Sequence, residues 1–135
     1  YALSMEGSLK LKEVSYIHSE SYAAGELKTA LISLIDEDVP VIAVATQTGI
    51  IPKTISNVVE VKSRGAKVIL VCTDACAREL KDGVADYVIE IPHTDELLMP
   101  ITAVVPLQIL AYYTSINRGI DPDKPKNLAK SVTVE

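Results

Sequence analysis

The sequence predicts an α/β domain, built as a three-layer αβα sandwich with a parallel sheet between two layers of helices. Three short apolar runs, at residues 39–45, 67–72 and 87–91, are typical of strands that are buried on both faces. Helical patterns alternate with these runs, as they do when the strands of a parallel sheet are joined by helices. With 135 residues, the chain is long enough to bury about two thirds of its unfolded surface in one domain.

The first third of the chain predicts two helices and then a strand. A helix at residues 2–15 follows from an apolar stripe whose members are three or four residues apart. The stripe consists of Leu3, Gly7, Leu11 and Val14. A second helix, short and with irregular ends, is predicted at residues 23–31. The continuous apolar run at residues 39–45 is then the first strand.

A proline and a glycine mark the ends of the next helix. Pro52 opens it, and Gly65 follows it where a C-cap glycine belongs. The helix therefore covers about residues 52–64. The second strand, at residues 67–72, begins directly after it.

Aspartates are predicted to cap the last two helices. Asp74 caps a short helix that extends to about residue 80, and Asp95 caps a long helix at about residues 96–117. Gly119 ends the long helix. Pro106 lies in its interior and predicts a kink.

Composition and charge exclude several classes of function. The net charge is −5, no basic stripe is present, and tyrosine is the only aromatic residue type. Nucleic acid is therefore not expected as a partner. No apolar run reaches the ~20 residues of a membrane span and no signal-peptide pattern occurs, so no membrane partner is expected and a cytoplasmic location is predicted. The glycine motifs of dinucleotide and P-loop sites do not occur in the sequence.

Several groups of residues have side chains or backbone groups that are common in functional sites, but their positions in the sequence do not favour such a site. Cys72 and Cys76 have no nearby histidines, so they are expected to be reduced thiols in or near the core and not zinc ligands. The Thr-Gln-Thr-Gly loop at residues 46–49 precedes a helix, where backbone amides can hold an anion, but a plain strand-to-helix connection is the stronger interpretation. Ser15 and His18 are too close in sequence to predict a catalytic triad with Glu20. No metal site is predicted.

Two lysines are candidates for chemistry, and each has an ordinary alternative. Lys10 shares one helical face with Glu6 and Glu13, and on spacing alone a surface ladder of Glu–Lys pairs is the better interpretation. Lys130 lies in a terminal segment that ends Val-Thr-Val-Glu and is expected to dock. A docked lysine loses solvation, which lowers its pKa and allows it to form a Schiff base. Chemistry alone favours a solvated lysine on a tail that packs for stability.

The chain resembles a known family over nearly its whole length. The segments that carry the resemblance lie at residues 5–13, 15–18, 22–28, 105–108, 121–125 and 127–135, and the last reads Asn-Leu-Ala-Lys-Ser-Val-Thr-Val-Glu. In order and spacing they are similar to the second sugar-isomerase (SIS) half of the glutamine–fructose-6-phosphate aminotransferase (isomerising) family. The resemblance implies a flavodoxin-like SIS fold that lacks its first strand. Residues 1–120 would be the SIS domain and residues 121–135 a tail that carries the active-site lysine.

The resemblance also assigns roles to individual residues. Glu13 matches the carboxylate that moves a proton between C1 and C2 of the sugar, and Lys130 matches the lysine that forms a Schiff base with the open-chain sugar. Lys10 and the backbone of Ala129 match parts of the sugar site. Thr29 stands where the family has its ring-opening histidine. A threonine hydroxyl does not readily exchange a proton near neutral pH, so this departure argues against ring opening by that residue.

The activity implied by the resemblance is conversion of fructose 6-phosphate and glutamine to glucosamine 6-phosphate and glutamate. A homodimer that uses no metal or organic cofactor is expected. The chain by itself is expected to be inactive, because it contains neither the family's glutaminase domain nor its first SIS half. The alternative, which Thr29 favours, is a catalytically silent SIS module that binds a phosphosugar or mediates assembly.

Overall fold

The computed structural model of the chain describes residues 1–27 and 31–126. Within these ranges, α-helices and strands alternate along the chain. In order they are α1 (Ala2–Ser15), β1 (Pro40–Ala45), α2 (Ile51–Ser63), β2 (Lys67–Thr73), α3 (Asp74–Glu79), β3 (Tyr87–Ile91) and α4 (Met99–Asn117). Two short 3₁₀-helices, Leu31–Leu34 and Thr48–Ile50, lie in the connections before β1 and α2.

The strands form one parallel sheet in the order β1-β2-β3. The central strand is β2, in which Ile69 pairs with Ile42 of β1 and with Tyr87 of β3. Its interior is fully buried at Val68, Leu70, Val71 and Cys72. The parallel α/β sheet predicted from the apolar runs is therefore confirmed. The further strand expected ahead of residue 1 stays a prediction.

Two apolar clusters, one on each face of the sheet, hold the layers together. On one face the sheet is covered by α2 and α3, and the buried residues are Ala45, Val58, Val61, Ala66, Val68, Leu70, Cys72, Cys76 and Val84. On the other face it is covered by α4 and the start of α1, and the buried residues are Val71, Ile91, Met99, Ala103 and Leu107. Leu70 and Val71 belong to different clusters because successive strand residues point to opposite faces. The three-layer sandwich is confirmed.

One contact between α1 and α4 leaves no room for a side chain. A Cβ atom on Gly7 would lie 2.9 Å from Cδ1 and 3.3 Å from Cβ of Leu107. Leu107 is only 4% exposed and packs in the cluster on the sheet, so it has little space to move away. Gly7, which the sequence places on the apolar stripe of α1, therefore allows the two helices to approach each other closely.

Two predicted helix caps are wrong by a few residues. The cap of α3 is Thr73 and not Asp74, because Oγ1 of Thr73 accepts a hydrogen bond from the backbone N–H of Cys76 at 3.3 Å. The long helix α4 begins at Met99 and not at residue 96. Asp95 instead closes a turn: its Oδ1 accepts a bond from the backbone N–H of Leu97 at 2.9 Å, and its carbonyl accepts one from Met99 at 3.0 Å.

The helix predicted at residues 23–31 is also wrong in its described part. Residues 24–27 form a turn, in which the backbone N–H of Glu26 donates to the carbonyl of Ala23 at 2.9 Å. A 3₁₀-helix, Leu31–Leu34, comes next. By contrast, the glycines predicted to end α2 and α4 are confirmed, since Gly65 and Gly119 have φ of +96° and +70°.

By length and composition, α4 is long and apolar enough to cross a membrane. Its buried residues recur at every fourth position and are Met99, Ala103, Leu107, Ala111 and Ser115. The first three belong to the cluster on the sheet. This spacing is typical of a helix that packs on a protein core by one side.

Both cysteines are free thiols at the junction of β2 and α3. Cys72 is fully buried and Cys76 nearly so. Burial, and to a smaller extent the neighbouring Cys76, raises the pKa of the Cys72 thiol to about 12. The thiol is therefore protonated and unreactive near neutral pH. The expectation of two reduced thiols in or near the core is confirmed.

Candidate functional site

A cluster of charged side chains lies on the last turns of α1. Nζ of Lys10 lies 2.9 Å from Oε2 of Glu13 and 3.5 Å from Oε1 of Glu6. The three side chains share one face of the helix because they are three or four residues apart. The side chain of Glu13 is 24% exposed and that of Lys10 is 32% exposed, so the pair is half-buried. The structure therefore brings together Lys10 and Glu13, two residues that the sequence selects.

Lys10 is held in its charged form by this cluster. The hydrogen bond to Glu13 is the main cause that raises the pKa of Lys10 above its ordinary value. Partial burial opposes the shift, and the negative charges of Glu13 and Glu6 add to it. An ammonium group at neutral pH can bind an anionic or hydroxyl group of a ligand, but it has no free electron pair with which to attack a carbonyl.

The helix end that carries Glu13 is closed by a residue in an uncommon conformation. Tyr16 has φ 56° and ψ 26°, in the left-handed region where glycine is the usual residue. Its backbone N–H donates to the carbonyl of Lys12 at 3.2 Å. The preceding Ser15 is fully buried, and its Oγ donates to the carbonyl of Leu11 at 2.6 Å. These two bonds fix the end of the helix.

The segment after α4 docks on this end of α1. The hydroxyl of Ser115 is fully buried and lies 2.8 Å from the carbonyl oxygen of Val14 and 3.0 Å from that of Ile120. It therefore joins the end of α1 to Ile120, the residue before the tail. Further along, the backbone N–H of Lys126 donates to the hydroxyl oxygen of Tyr16. The tail is thus attached to the end of α1 at Lys126, and Ser115 of α4 is attached to the same helix end at Val14.

The family model of the SIS domain matches residues 1–118. The chain belongs to the SIS domain family. A glutamine–fructose-6-phosphate aminotransferase [isomerizing] from Clostridium perfringens is 56% identical over 135 residues, which is 100% of this chain and 22% of that protein. A relative of the same name from Methanothermobacter thermautotrophicus is 50% identical over 137 residues, covering 100% of this chain and 23% of that protein. The chain thus spans less than a quarter of the length of these curated relatives.

Two solved structures share the fold of this SIS domain. The C-terminal domain of glucosamine-fructose-6-phosphate aminotransferase from Francisella tularensis aligns with a TM-score of 0.84 and 38% identity, covering 90% of this chain and 34% of that chain. A glucosamine-6-phosphate deaminase from Thermotoga maritima aligns with a TM-score of 0.74 and 28% identity, covering 98% of this chain and 37% of that chain. The resemblance read from the sequence is confirmed.

Three residues selected from the sequence lie outside the described part of the SIS chain. They are Thr29, Ala129 and Lys130. Their roles stay predictions. The described residue nearest to Lys130 along the chain is Lys126, and its backbone N–H is bonded to Tyr16, three residues after Glu13. The described end of the tail therefore lies at the same end of α1 as the Lys10–Glu13 pair.

The other sequence candidates do not assemble into sites. In the loop at residues 46–49, the backbone N–H and Oγ1 of Thr48 donate to Oε1 of Glu96 at 3.1 and 3.2 Å, so the loop serves as a strand-to-helix connection braced by a neighbouring carboxylate. His18 is 84% exposed and faces Glu20 at 3.5 Å, whereas Ser15 is bonded within its own helix. Across residues 1–27 and 31–126, no group of three or more His, Cys, Asp or Glu could hold a metal ion.

Sequence reasoning missed Tyr16 and Ser115. Both make contacts with residues more than a hundred positions away, which no local pattern can predict: Tyr16 with Lys126, and Ser115 with Val14. One signal was present for Ser115, because a serine at the fourth position after Ala111 continues the buried series of α4. A polar residue at such a position needs a hydrogen-bond partner, and the end of α1 supplies it.

Proposed function

We propose that this chain is the second SIS half of a glutamine–fructose-6-phosphate aminotransferase (isomerising). The longer enzyme would convert fructose 6-phosphate and glutamine to glucosamine 6-phosphate and glutamate. The observation that carries the proposal is the Lys10–Glu13 pair, 2.9 Å apart at the end of α1 on which the tail docks. Relatives of this name that match the whole chain at 56% and 50% identity support it.

Glu13 is proposed to move the proton that isomerises the sugar. The reaction opens the sugar ring, condenses an amine at C2 and transfers a proton between C1 and C2. A single carboxylate held over both carbons can accept the proton from one and return it to the other. Glu13 suits this role because it is half-buried and its carboxylate is oriented by the ammonium of Lys10.

Lys130 is proposed to form the Schiff base with the open-chain sugar, with Lys10 and the backbone of Ala129 in the sugar site. The two lysines would have different tasks. The raised pKa of Lys10 keeps it protonated and suits it to binding an oxygen-rich ligand. The attack on the ketone needs a neutral amine, and this role falls to Lys130 in the tail.

The remaining features of the proposal concern organisation. Residues 1–120 would form the SIS domain and residues 121–135 the tail that carries Lys130. The enzyme would be a cytoplasmic homodimer that binds fructose 6-phosphate or glucosamine 6-phosphate and needs no metal or organic cofactor. Since Thr29 cannot readily exchange a proton, ring opening would depend on another group or on the spontaneous opening of the sugar.

A second candidate function is a SIS module that binds a phosphosugar without catalysis. Thr29 favours it, because the position of the family's ring-opening histidine has lost its acid–base chemistry. The two candidates differ in what Glu13 does. In the silent module the Glu13 carboxylate is only a partner of Lys10, and its replacement leaves every chemical step unaffected.

The test uses the longer enzyme that contains this chain, with fructose 6-phosphate and borohydride. Reduction of a Schiff base should attach the sugar to Lys130, and the attachment should disappear in Lys130→Ala. In Glu13→Gln the shape is kept and the base is lost, so isomerisation should slow by about a hundredfold or more.

Glu6→Gln is the matched control for Glu13→Gln. Glu6 is another carboxylate beside the same lysine, at 3.5 Å, and its replacement should change isomerisation by less than about threefold. Equal and small effects of the two variants would make the cluster a surface charge ladder. Sugar attachment that persists in Lys130→Ala would remove Lys130 from the mechanism.

A further inference from the structure

An open cleft lies between α2 and the loop that follows α1. Its volume is about 450 Å³, which is within the range of small-molecule sites in proteins. Residues 23–25 form the loop side of the cleft. The helix side is formed by residues at and just before the first turns of α2, and these are Ile50, Lys53, Thr54, Ser56 and Asn57. The two sides are held together by Asn57, whose Nδ2 donates to the carbonyl of Ala24 at 2.8 Å.

Two buried side chains in the wall of the cleft have polar atoms without a partner in the described part of the chain. Thr54 is 7% exposed, and its hydroxyl bonds to no described residue. Asn57 is 9% exposed, and only its Nδ2 is bonded, so that Oδ1 remains available as an acceptor. Buried polar groups are nearly always hydrogen-bonded, because an unmet donor or acceptor costs free energy. The two residues are three positions apart on α2, so they share one face of the helix and can bond to one molecule in the cleft.

The cleft also has one positive charge that is not neutralised by a described residue. Among the described residues that line it, Lys53 alone is charged, and it makes no ion pair within residues 1–27 and 31–126. The backbone at the start of this helical segment is already bonded, since the N–H and Oγ1 of Thr48 donate to the carboxylate of Glu96. An anion in the cleft would therefore be held by side chains and not by the helix backbone.

We infer that this cleft binds a small anion that also carries hydroxyl groups. The ammonium of Lys53 would bind the anionic group, a phosphate or a carboxylate. The Oδ1 atom of Asn57 only accepts, so it requires a hydroxyl that donates, whereas the hydroxyl of Thr54 can do either. The apolar wall at Ala23 and Ile50 suits the C–H groups of a sugar ring or a short carbon chain.

The cleft is separate from the Lys10–Glu13 pair. It lies against α2, which covers one face of the sheet, whereas the start of α1 covers the other face. The cleft and the pair have no residue in common. The inference therefore does not depend on the roles proposed for Lys10 and Glu13, and the anion in the cleft need not be a substrate.

Isothermal titration calorimetry of the 135-residue chain tests the inference with four probes. Fructose 6-phosphate and gluconate are hydroxylated anions that carry a phosphate and a carboxylate, respectively. Fructose has no charge, and inorganic phosphate has no carbon chain. We expect at least one of the two hydroxylated anions to bind at one site, about tenfold or more tightly than fructose and inorganic phosphate. The tighter of the two identifies the anionic group. Equal binding of inorganic phosphate would overturn the assignment.

Two variants of the cleft test its side chains. Lys53→Gln removes the charge and should weaken binding of the tighter anion about tenfold. Thr54→Val keeps the shape and removes the hydroxyl, so it should weaken binding about fivefold. The ligand-free Thr54→Val chain should have a melting temperature equal to that of the unaltered chain or higher, because no bond is lost. A lower melting temperature would show that the hydroxyl has a structural partner and would overturn its role in binding.

Two lysines outside the cleft supply the controls. Lys81→Gln removes an exposed lysine in the turn at residues 81–83 and should leave binding unchanged. Lys10→Gln should also leave it unchanged, because Lys10 lies in the other helix layer. Binding that is lost in Lys10→Gln and kept in Lys53→Gln belongs to the Lys10–Glu13 pair, which overturns the inference and supports the proposed function.

Failure of the inference can be told apart from failure of the proposed function. If none of the four probes binds, or if Lys53→Gln and Thr54→Val bind as tightly as the unaltered chain, the inference is wrong. Neither result affects the proposed function, which is tested by trapping of the sugar in the longer enzyme. Absence of that trapping would in turn leave the titrations of the cleft valid.

Discussion

The two helix layers of the sandwich are held to the sheet in different ways. Among the described residues, the layer of α2 and α3 has the larger apolar cluster, with nine buried residues, whereas the layer of α1 and α4 has five. The second layer also leaves apolar side chains exposed on its outer side, at Met5, Leu9, Ile101, Val105, Ile109, Tyr112, Tyr113 and Ile116. Its two helices also make close contacts through small residues, Gly7 against Leu107 and Ser115 against the end of α1.

The two helix layers therefore contribute differently to the stability of the domain and to its candidate site. Burial of apolar area is strong but has no direction, so it suits a layer whose task is to keep the fold together. Hydrogen bonds contribute less net free energy each but fix the positions of atoms. The candidate site lies at an end of α1 that is fixed by such bonds. A functional group there can be positioned precisely although its layer buries less.

The largest expected effect compares the same substitution in the two layers. Leu70→Ala in β2 should lower the free energy of unfolding by about 3–5 kcal/mol, because a fully buried site in the larger cluster cannot collapse around the cavity. Leu107→Ala in α4 should cost about 2–3 kcal/mol, because Leu107 belongs to the smaller cluster. Denaturant titrations measure both values. Equal losses would contradict the proposed difference between the layers.

A smaller effect is expected where α1 meets α4. Gly7→Ala should lower the free energy of unfolding by about 1–2 kcal/mol, since the strain of overpacking against Leu107 exceeds the better helix propensity of alanine. Gly49→Ala is the control, because a Cβ at Gly49 meets no atom within 4 Å. If the contact is responsible, Leu107→Ala in the same chain should recover part of the loss. Additive losses would show that the two sites are independent.

The smallest effect concerns an ion pair of the α2 layer, between Lys62 and Asp86, and depends on pH. The Lys62 ammonium donates to the two carboxylate oxygens of Asp86 at 2.6 and 2.7 Å, and the backbone N–H of Val68 donates at 2.7 Å. The hydrogen bond from Lys62 is the main cause that lowers the pKa of Asp86 below its ordinary value of 3.8, and the bond from Val68 adds to it.

The sign of the pH effect follows from the lowered pKa. Because the folded form holds the ionised carboxylate more strongly, the stabilisation is present above the ordinary pKa of 3.8 and disappears as the pH falls through the lower folded value. Asp86→Asn should therefore be less stable than the unaltered chain near neutral pH, and the gap should close in acid. Thermal unfolding at a series of pH values measures this. Asp82→Asn, at an exposed aspartate in the turn at residues 81–83, should leave the curve unchanged in shape.

The sequence was sufficient to predict the strands, because a buried parallel strand leaves a continuous apolar run that few other structures produce. The sequence was a less reliable guide to the residues at which the helices begin. Both Thr73 and Asp74 have side chains that can cap α3, and only the fold decides that Thr73 does so. Asp95 likewise has the side chain of a cap, but here it closes the turn before α4. The segment at residues 23–31 has no clear periodicity, and its described part is a turn.

The candidate site was predictable only in part, for a similar reason. The spacing of Glu6, Lys10 and Glu13 places them on one helical face, and the structure brings them together. Which carboxylate lies closer to Lys10 depends on rotamers and burial, which a spacing does not contain. The bonds between Tyr16 and Lys126 and between Ser115 and Val14 join residues that only the folded chain brings together, so these contacts could not be read from the sequence.

The buried thiol of Cys72 allows the opening of the domain to be measured by chemical labelling. In the folded chain the thiol is shielded between the sheet and α3 and remains protonated, so a thiol reagent cannot modify it. Whenever the centre of the sheet is exposed, the thiol returns to its ordinary pKa of 9.0 and reacts. The chain has no tryptophan or phenylalanine, so the usual fluorescence change is weak. The rate of thiol labelling instead measures how often β2 becomes exposed to solvent.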